Sequence, residues 1–485
     1  MTSGRGKIML GMADFGFSMV TQTVGSFLMF FGTAVCGISG TLMGLVTAIS
    51  TAWDAVTDPV VGFLSDNSRS KTFGKRHGFL LTAIFGMAVM NVAIWNVPLT
   101  LGVMEKWAWL LVCMLIYDVF TTFFATPLSA LSVELAGDYD ERAKIQSVRS
   151  VFQLIGTIAP IALMSVLQAA SNQYDVNSYK NMAYITSISM LLCGIFSYFS
   201  TYSSVPRLRI KSGDKQKREK FNLKKIFKNF FVVMKKPLYK NLILGYMISM
   251  MATSFLTMSG LHVLTYTFHL PSTEMYALVA GLFTMTILSQ PLWIFIVKKF
   301  DKKTAVISGI CTTVVGMSVM LSVFLNRAAI PQAQMFMYLA AGLFPAGAGV
   351  GALYSMPAAM MGDAVAVENA KTKVDNTGTY TGFMTLANKM SAAGASLIIG
   401  VMLDLIGFVE GSDYQTPQVE AGLGWLLIAG IITVLSLGAV FYSKYNLKKS
   451  DIPSQDDGEF ESVVVKESDS VSTETRADES YIRWD

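Results

Sequence analysis

Residues 51–76 read TAWDAVTDPVVGFLSDNSRSKTFGKR. The first part is an apolar run carrying two carboxylates, Asp54 and Asp58, and it stops in a short segment crowded with Arg69, Lys71, Lys75 and Arg76. Working outward in both directions, the same unit recurs: a mostly uncharged run, then a short polar break. Twelve such runs fall near 8–36, 40–65, 78–98, 107–135, 146–170, 181–204, 239–269, 275–298, 303–325, 332–362, 376–408 and 420–444. About 20 apolar residues suffice for a helix to cross a bilayer, so the pattern predicts an all-α membrane protein with twelve transmembrane helices. Composition agrees, because only 15% of the 485 residues are charged and 52% are hydrophobic. Soluble domains carry about 25% charge, and a chain facing lipid gives up much of it. Cys36, Cys113, Cys193 and Cys311 stand singly in apolar runs, as small packing residues do.

The formal net charge of +5 hides a division. Residues 450–485 hold eleven Asp or Glu and three Lys or Arg, a net of −8, which leaves +13 for the preceding chain. The bases gather in alternate breaks: Arg142 and Lys144, then Lys298, Lys299, Lys302 and Lys303, then Lys371 and Lys373. The intervening breaks hold only Lys106, Lys180 and Arg327 among several acids. Cytoplasmic loops carry the excess of Lys and Arg. Both termini are therefore expected in the cytoplasm of a cell (inner or plasma) membrane protein, with the first run retained as a span. The longest break, from Val205 to Lys236, holds twelve bases and divides the spans six and six. Its stretch FNLKKIFKNFFVVMKK reads as a basic amphipathic helix on the membrane surface. The expected organisation is a six-helix half over 1–204, this linker over 205–238, a second six-helix half over 239–445 and a disordered acidic tail over 446–485.

A charge inside a bilayer costs at least about 2.5–3.5 kcal/mol, so each one is a functional candidate. Asp14, Asp54, Asp58, Asp118, Arg149, Lys389 and Asp404 are the ionisable residues within the runs. On a helix Asp54, Thr57 and Asp58 share one face. Two carboxylates and a hydroxyl suit a small hard cation such as Na⁺, or a proton shared between like charges.

Here the sequence resembles a known family. The run WDAVTDPVVGFLSDNSRSKTFGKR looks like the signature of the glycoside-pentoside-hexuronide:cation symporters, the melibiose permease branch of the major facilitator superfamily. LGMADFGFSMV, TPLSALSVELAGDYDERAKIQSVRSVFQLIG, GDAVAVENAKT and TGTYTGFMTLANKMSAAGASLIIGVMLDLIGF agree with it, and so does the six-plus-six division. GFLSDNSRSKTFGKR and IVKKFDKKTA stand at equivalent places in the two halves, as an internal repeat requires. The resemblance implies a coupling-cation site (Na⁺ or H⁺) at Asp54, Thr57, Asp58 and Thr122, and it places Arg149 and Lys389 beside the substrate. It also implies a gating cluster of Asp66, Arg69, Lys75, Arg76 and Arg142. Members that carry neutral galactosides have acids where this chain has Ser18 and Ala125. Their loss points to an anionic or amphipathic substrate such as a uronide, unless Asp14 and Asp118 face the cavity. Trp293, Tyr380 and Trp53 are candidates for stacking on a sugar ring.

His77, His262 and His269 are too scattered for a metal site, and AGLFPAGAGVGALYSMP lacks the GK[ST] of a phosphate loop. No nucleophile–His–acid set appears, so an enzyme is not expected, nor is a nucleic-acid partner or a cofactor beyond the coupling ion. The expected function is cation-coupled symport of a sugar, glycoside or uronide by a monomer in contact with membrane lipid. A cation-coupled lysolipid carrier and a non-transporting sensor that signals through the acidic tail are the competing readings.

Overall fold

In the computed structural model of the protein, which describes residues 4–68, 70, 73–74, 76–135, 139–202, 233–372 and 377–447, every apolar run forms a helix. The first six are α1 (Gly4–Phe30), α2 (Gly40–Asn67), α3 (His77–Trp95), α4 (Val103–Leu135), α5 (Tyr139–Leu167) and α6 (Val176–Tyr202). After the linker come α7 (Pro237–His262), α8 (Ser272–Leu288), α9 (Gln290–Lys299), α10 (Lys302–Leu325), α11 (Gln332–Thr372), α12 (Thr377–Leu405) and α13 (Pro417–Ser443). A helix satisfies all its backbone groups internally, which is what a lipid environment demands. Eleven spans among the described residues are long and apolar enough to cross a membrane. The 28-residue α2, made more polar by Asp54 and Asp58, is a twelfth long helix in the series.

Two expected spans differ in outline. The one placed at 275–298 is broken into α8 and α9 around Ser289, where Pro291 has no N–H to continue the ladder. Hydrogen bonds to α11 compensate: the Thr286 hydroxyl donates to Gly347 O at 2.9 Å and the Gln290 amide to Gly351 O at 3.0 Å. The one placed at 332–362 runs on to Thr372 as a 41-residue helix that contains Pro345 and Pro357.

The two halves repeat local features. α1 continues into a π turn over Phe31–Val35 and α7 into one over Val263–Thr267, at equivalent ends of the first helix of each half. Arg76 at the start of α3 pairs with Glu134 of α4 at 2.9 Å, and Lys302 at the start of α10 pairs with Asp363 of α11 at 2.6 Å. The end of the bundle bearing Arg76, Lys236 and Lys302 is called the basic end below.

Across the halves, α2 packs on α12, α5 on α8 and α1 on α7. The joints lie at the end opposite the basic one. Asp404 at the foot of α12 accepts from the backbone N–H of Gly40 (2.8 Å) and Thr41 (3.1 Å), so its carboxylate caps the first turn of α2. Thr33 is paired with His262 Nε2 at 2.8 Å, Ser272 donates to Gln173 at 3.2 Å, and Tyr276 donates to Gln168 at 2.7 Å. Phe30, His262, Tyr266 and Phe408 form an aromatic layer beneath. In the loop before α6, hydrogen bonds from Ser178 and from the Asn177 N–H hold the Asp175 carboxyl below its ordinary range as a helix cap.

Arg69, Lys75, the linker stretch 203–232 and the tail from 448 lie outside the described residues, as do the side chains of Asp66 and Arg142.

Candidate functional site

The carboxylates of α2 meet α4 and α12 partway along the bundle. Asp54 and Asp58 stand one turn apart, so both point at the same neighbours. Lys389 of α12 lies 2.7 Å from Asp54 Oδ2 and also donates to Asp58 Oδ2. Their other oxygens face Thr122 of α4, whose hydroxyl lies 2.8 Å from Asp54 Oδ1 and 3.0 Å from Asp58 Oδ1. The group thus holds two carboxylates between one ammonium and one hydroxyl. It is not sealed: the side chain of Lys389 is 16% exposed and that of Asp58 is 32% exposed.

A third carboxylate adjoins it. Asp118 lies one turn before Thr122 on α4 and accepts from the hydroxyl of Ser50, which lies one turn before Asp54 on α2. Thr122 also lies 3.0 Å from the Asp118 carbonyl, the usual bond of a helical Thr to its own backbone. Thr57, by contrast, spends its hydroxyl on Asp54 O at 3.2 Å and makes no bond to either carboxylate among the described contacts.

A second polar group joins α1, α4 and α5. Arg149 Nε lies 2.7 Å from Asp14 Oδ2, Nη2 donates to Asp14 Oδ1 at 2.9 Å, and Nη1 donates to Ser132 Oγ at 2.9 Å. This is a two-bond fork between guanidinium and carboxylate, the strongest common form of ion pair. Both side chains are nearly buried, at 12% and 10% exposure.

The remaining expected site residues lie elsewhere. Ser18 is buried in the α1–α5 seam, where a Cβ on Gly156 would come within 2.9 Å of its own Cβ. Trp293 is 1% exposed, and its indole N–H donates to Ala348 O at 2.9 Å and Ser289 at 3.1 Å inside the second half. The Tyr380 ring packs against that of Tyr239 with centroids 4.7 Å apart and planes tilted by 32°. Neither ring is presented to Lys389 or Arg149 by these contacts. Arg76 also donates to Ser65 at 2.6 Å, which ties the foot of α2 to α3 and α4. Ser50 and Ser132 each share a helix face with a charged residue of the same helix: Ser50 with Asp54 one turn on, and Ser132 with Asp118 two heptads back.

Charged residues buried between membrane helices mark the pathway of a transported species, and the fold around them is that of an integral membrane transporter. The chain belongs to the MFS/sugar transport protein family of the major facilitator superfamily, whose family model matches residues 9–449. It is 24% identical to a sodium-dependent lysophosphatidylcholine symporter of Danio rerio over 88% of this chain and 84% of that one. It is 22% identical to the isoprimeverose transporter of Lactiplantibacillus pentosus over 89% of this chain and 87% of the relative. Among solved structures, the xylose transporter of E. coli in a partially occluded inward open conformation matches with a TM-score of 0.62. That likeness covers 91% of this chain and 99% of the other at 14% identity, and it shows the shared fold.

Proposed function

We propose that the protein is a cation-coupled symporter that carries a sugar or glycoside by alternating access. The observation that carries this reading is the group formed by Asp54, Asp58, Thr122 and Lys389. Asp54, Asp58 and Thr122 offer oxygens to Na⁺. Lys389 occupies the same carboxylates when the cation does not. Arrival of the cation then releases Lys389 from α2, so cation binding shifts the balance between the two arrangements of the halves. The sodium-dependent relative supports Na⁺ as the coupling ion. The Lys and Arg distribution supports a cytoplasmic basic end with both termini inside.

A sugar is favoured by the family and by the isoprimeverose relative. The second reading, a cation-coupled lysolipid carrier, rests on the lysophosphatidylcholine symporter relative, which matches over a similar length. Uptake into proteoliposomes separates them: an inward Na⁺ gradient is expected to drive accumulation of a labelled pentoside or hexoside and not of lysophosphatidylcholine. Asp58→Asn is expected to abolish accumulation above the equilibrium level while leaving the protein in the membrane. Uphill transport by that variant would remove the proposed cation site. Deletion of residues 450–485 is expected to leave flux intact, which a sensor working through its tail would not require.

A further inference from the structure

Arg149 and Lys389 suggest an anion site when read from the sequence, but in the structure each base is committed to carboxylates. Asp54 and Asp58 hold Lys389. Asp14 takes Arg149 Nε and Nη2, and Ser132 takes one Nη1 hydrogen, so three of the five guanidinium N–H donors are engaged. A substrate carboxylate reaching Arg149 would have to compete with Asp14 for the same fork, at van der Waals range from a like charge and with little water to screen the repulsion.

We propose that Asp14 is a charge-specificity residue: by neutralising Arg149 it excludes substrates with a free carboxylate and leaves a site for an uncharged polyhydroxyl compound. This rests on the proposed symport of a sugar or glycoside and on the expectation that Arg149 stands beside the substrate. The pair has what a neutral polyol needs. Among the described residues two guanidinium N–H groups have no protein acceptor, and the Asp14 oxygens keep lone pairs to accept from hydroxyls. Asp14 thereby supplies, from one turn earlier on the same helix, the acid that Ser18 does not.

The test uses the full-length purified protein in Na⁺ buffer with two probes, methyl β-D-glucoside and methyl β-D-glucuronide, which differ only in a hydroxymethyl group and a carboxylate. Binding is read by titration and by thermal shift. The wild type is expected to bind the glucuronide at least about tenfold more weakly than the glucoside, the size of one charge-assisted hydrogen bond lost or opposed. Asp14→Asn is expected to shift that ratio toward the glucuronide by at least about tenfold, and Asp14→Asn combined with Arg149→Gln to lose the gain. Retained Na⁺-dependent stabilisation shows that a variant is folded. If Asp14→Asn does not fold, Arg149→Lys serves, since an ammonium cannot fill the fork and selectivity is expected to move further against the glucuronide. Equal binding of both probes by the wild type, or an unchanged ratio in the folded variants, overturns the proposal. A wild type that ignores both probes while Asp14→Asn gains the glucuronide would retain the charge filter and refute the glycoside reading instead.

Discussion

Thr57 and Thr122 are both hydroxyls beside the same two carboxylates, and the backbone decides between them. Thr57 bonds its own helix at Asp54 O, whereas Thr122 reaches across from α4 to both carboxylates. Thr122→Val is therefore expected to weaken Na⁺ affinity by roughly tenfold, the effect of about one hydrogen bond to a charged group. Thr57→Val is expected to change it by less than about twofold, because its hydroxyl bonds its own helix. Na⁺-dependent thermal shifts measure both, and a larger effect at Thr57 would mean that its rotamer turns into the site. Lys389→Gln leaves Asp54 and Asp58 facing each other without a base. It is expected to lower stability without Na⁺ by roughly 1–3 kcal/mol, less than a sealed pair would lose because Asp58 is partly exposed. Added Na⁺ should restore most of the loss. The spacing of Asp54 and Asp58 declared their common face in the sequence. Their pairing with Lys389 spans 331 residues and follows no local period, so only the cost of a buried charge pointed to it. Ser50 and Ser132 carry no such signal, since a lone Ser in a membrane helix is usually occupied with its own backbone.

At the scale of elements, the joint between α2 and α12 depends on the absence of side chains. A Cβ on Gly400 would lie 2.2 Å from Gly40 O, and one on Gly44 would lie 2.6 Å from Ser396 O. Close approach of the two backbones is what brings Asp404 within reach of the Gly40 and Thr41 N–H groups. The contact combines a cap, typically about 1 kcal/mol, with attraction between a carboxylate and the positive end of a helix. Gly400→Leu is expected to force this end apart, and Asp404→Asn to loosen it more gently. A cysteine at Ser26, buried below the joint in a protein whose native cysteines are replaced, reports the change. Its labelling by a membrane-impermeant maleimide should rise in both variants, most in Gly400→Leu. Unchanged labelling would mean that the seam is not what closes this end. The helices themselves were legible as apolar runs, because length and hydropathy determine a membrane span. The π turns after Phe30 and His262 were not, since an extra residue in a helical turn leaves no composition signal. The break at Ser289 had a visible cause in Pro291, but Pro345 and Pro357 sit inside one continuous helix, so proline alone did not identify where a span is interrupted.

For the whole molecule, alternating access requires that the joints opposite the basic end break during each cycle. The halves meet there through Gln173 and Ser272, Gln168 and Tyr276, Thr33 and His262, and the Asp404 cap. The Asp54–Asp58–Lys389 group, deeper in the bundle, keeps partial exposure while the halves are joined at that end, and under the proposed cycle its route to water is expected to run toward the basic end. Tying the closed end shut should consequently separate two properties that move together in the free protein. With native cysteines removed, Gln173→Cys and Ser272→Cys are placed on the loop before α6 and the first turn of α8, to be joined by a short thiol cross-linker. Cross-linking is expected to stop Na⁺-driven accumulation, because substrate can no longer enter from the opposite side. Na⁺ should still stabilise the cross-linked protein in detergent, because the cation site remains reachable from the basic end. Cleaving a reducible linker should restore transport. Persistent transport in the cross-linked state would show that the halves do not part at this end. Loss of Na⁺ stabilisation would show that the cation reaches Asp54 and Asp58 through the closed end rather than from the basic one.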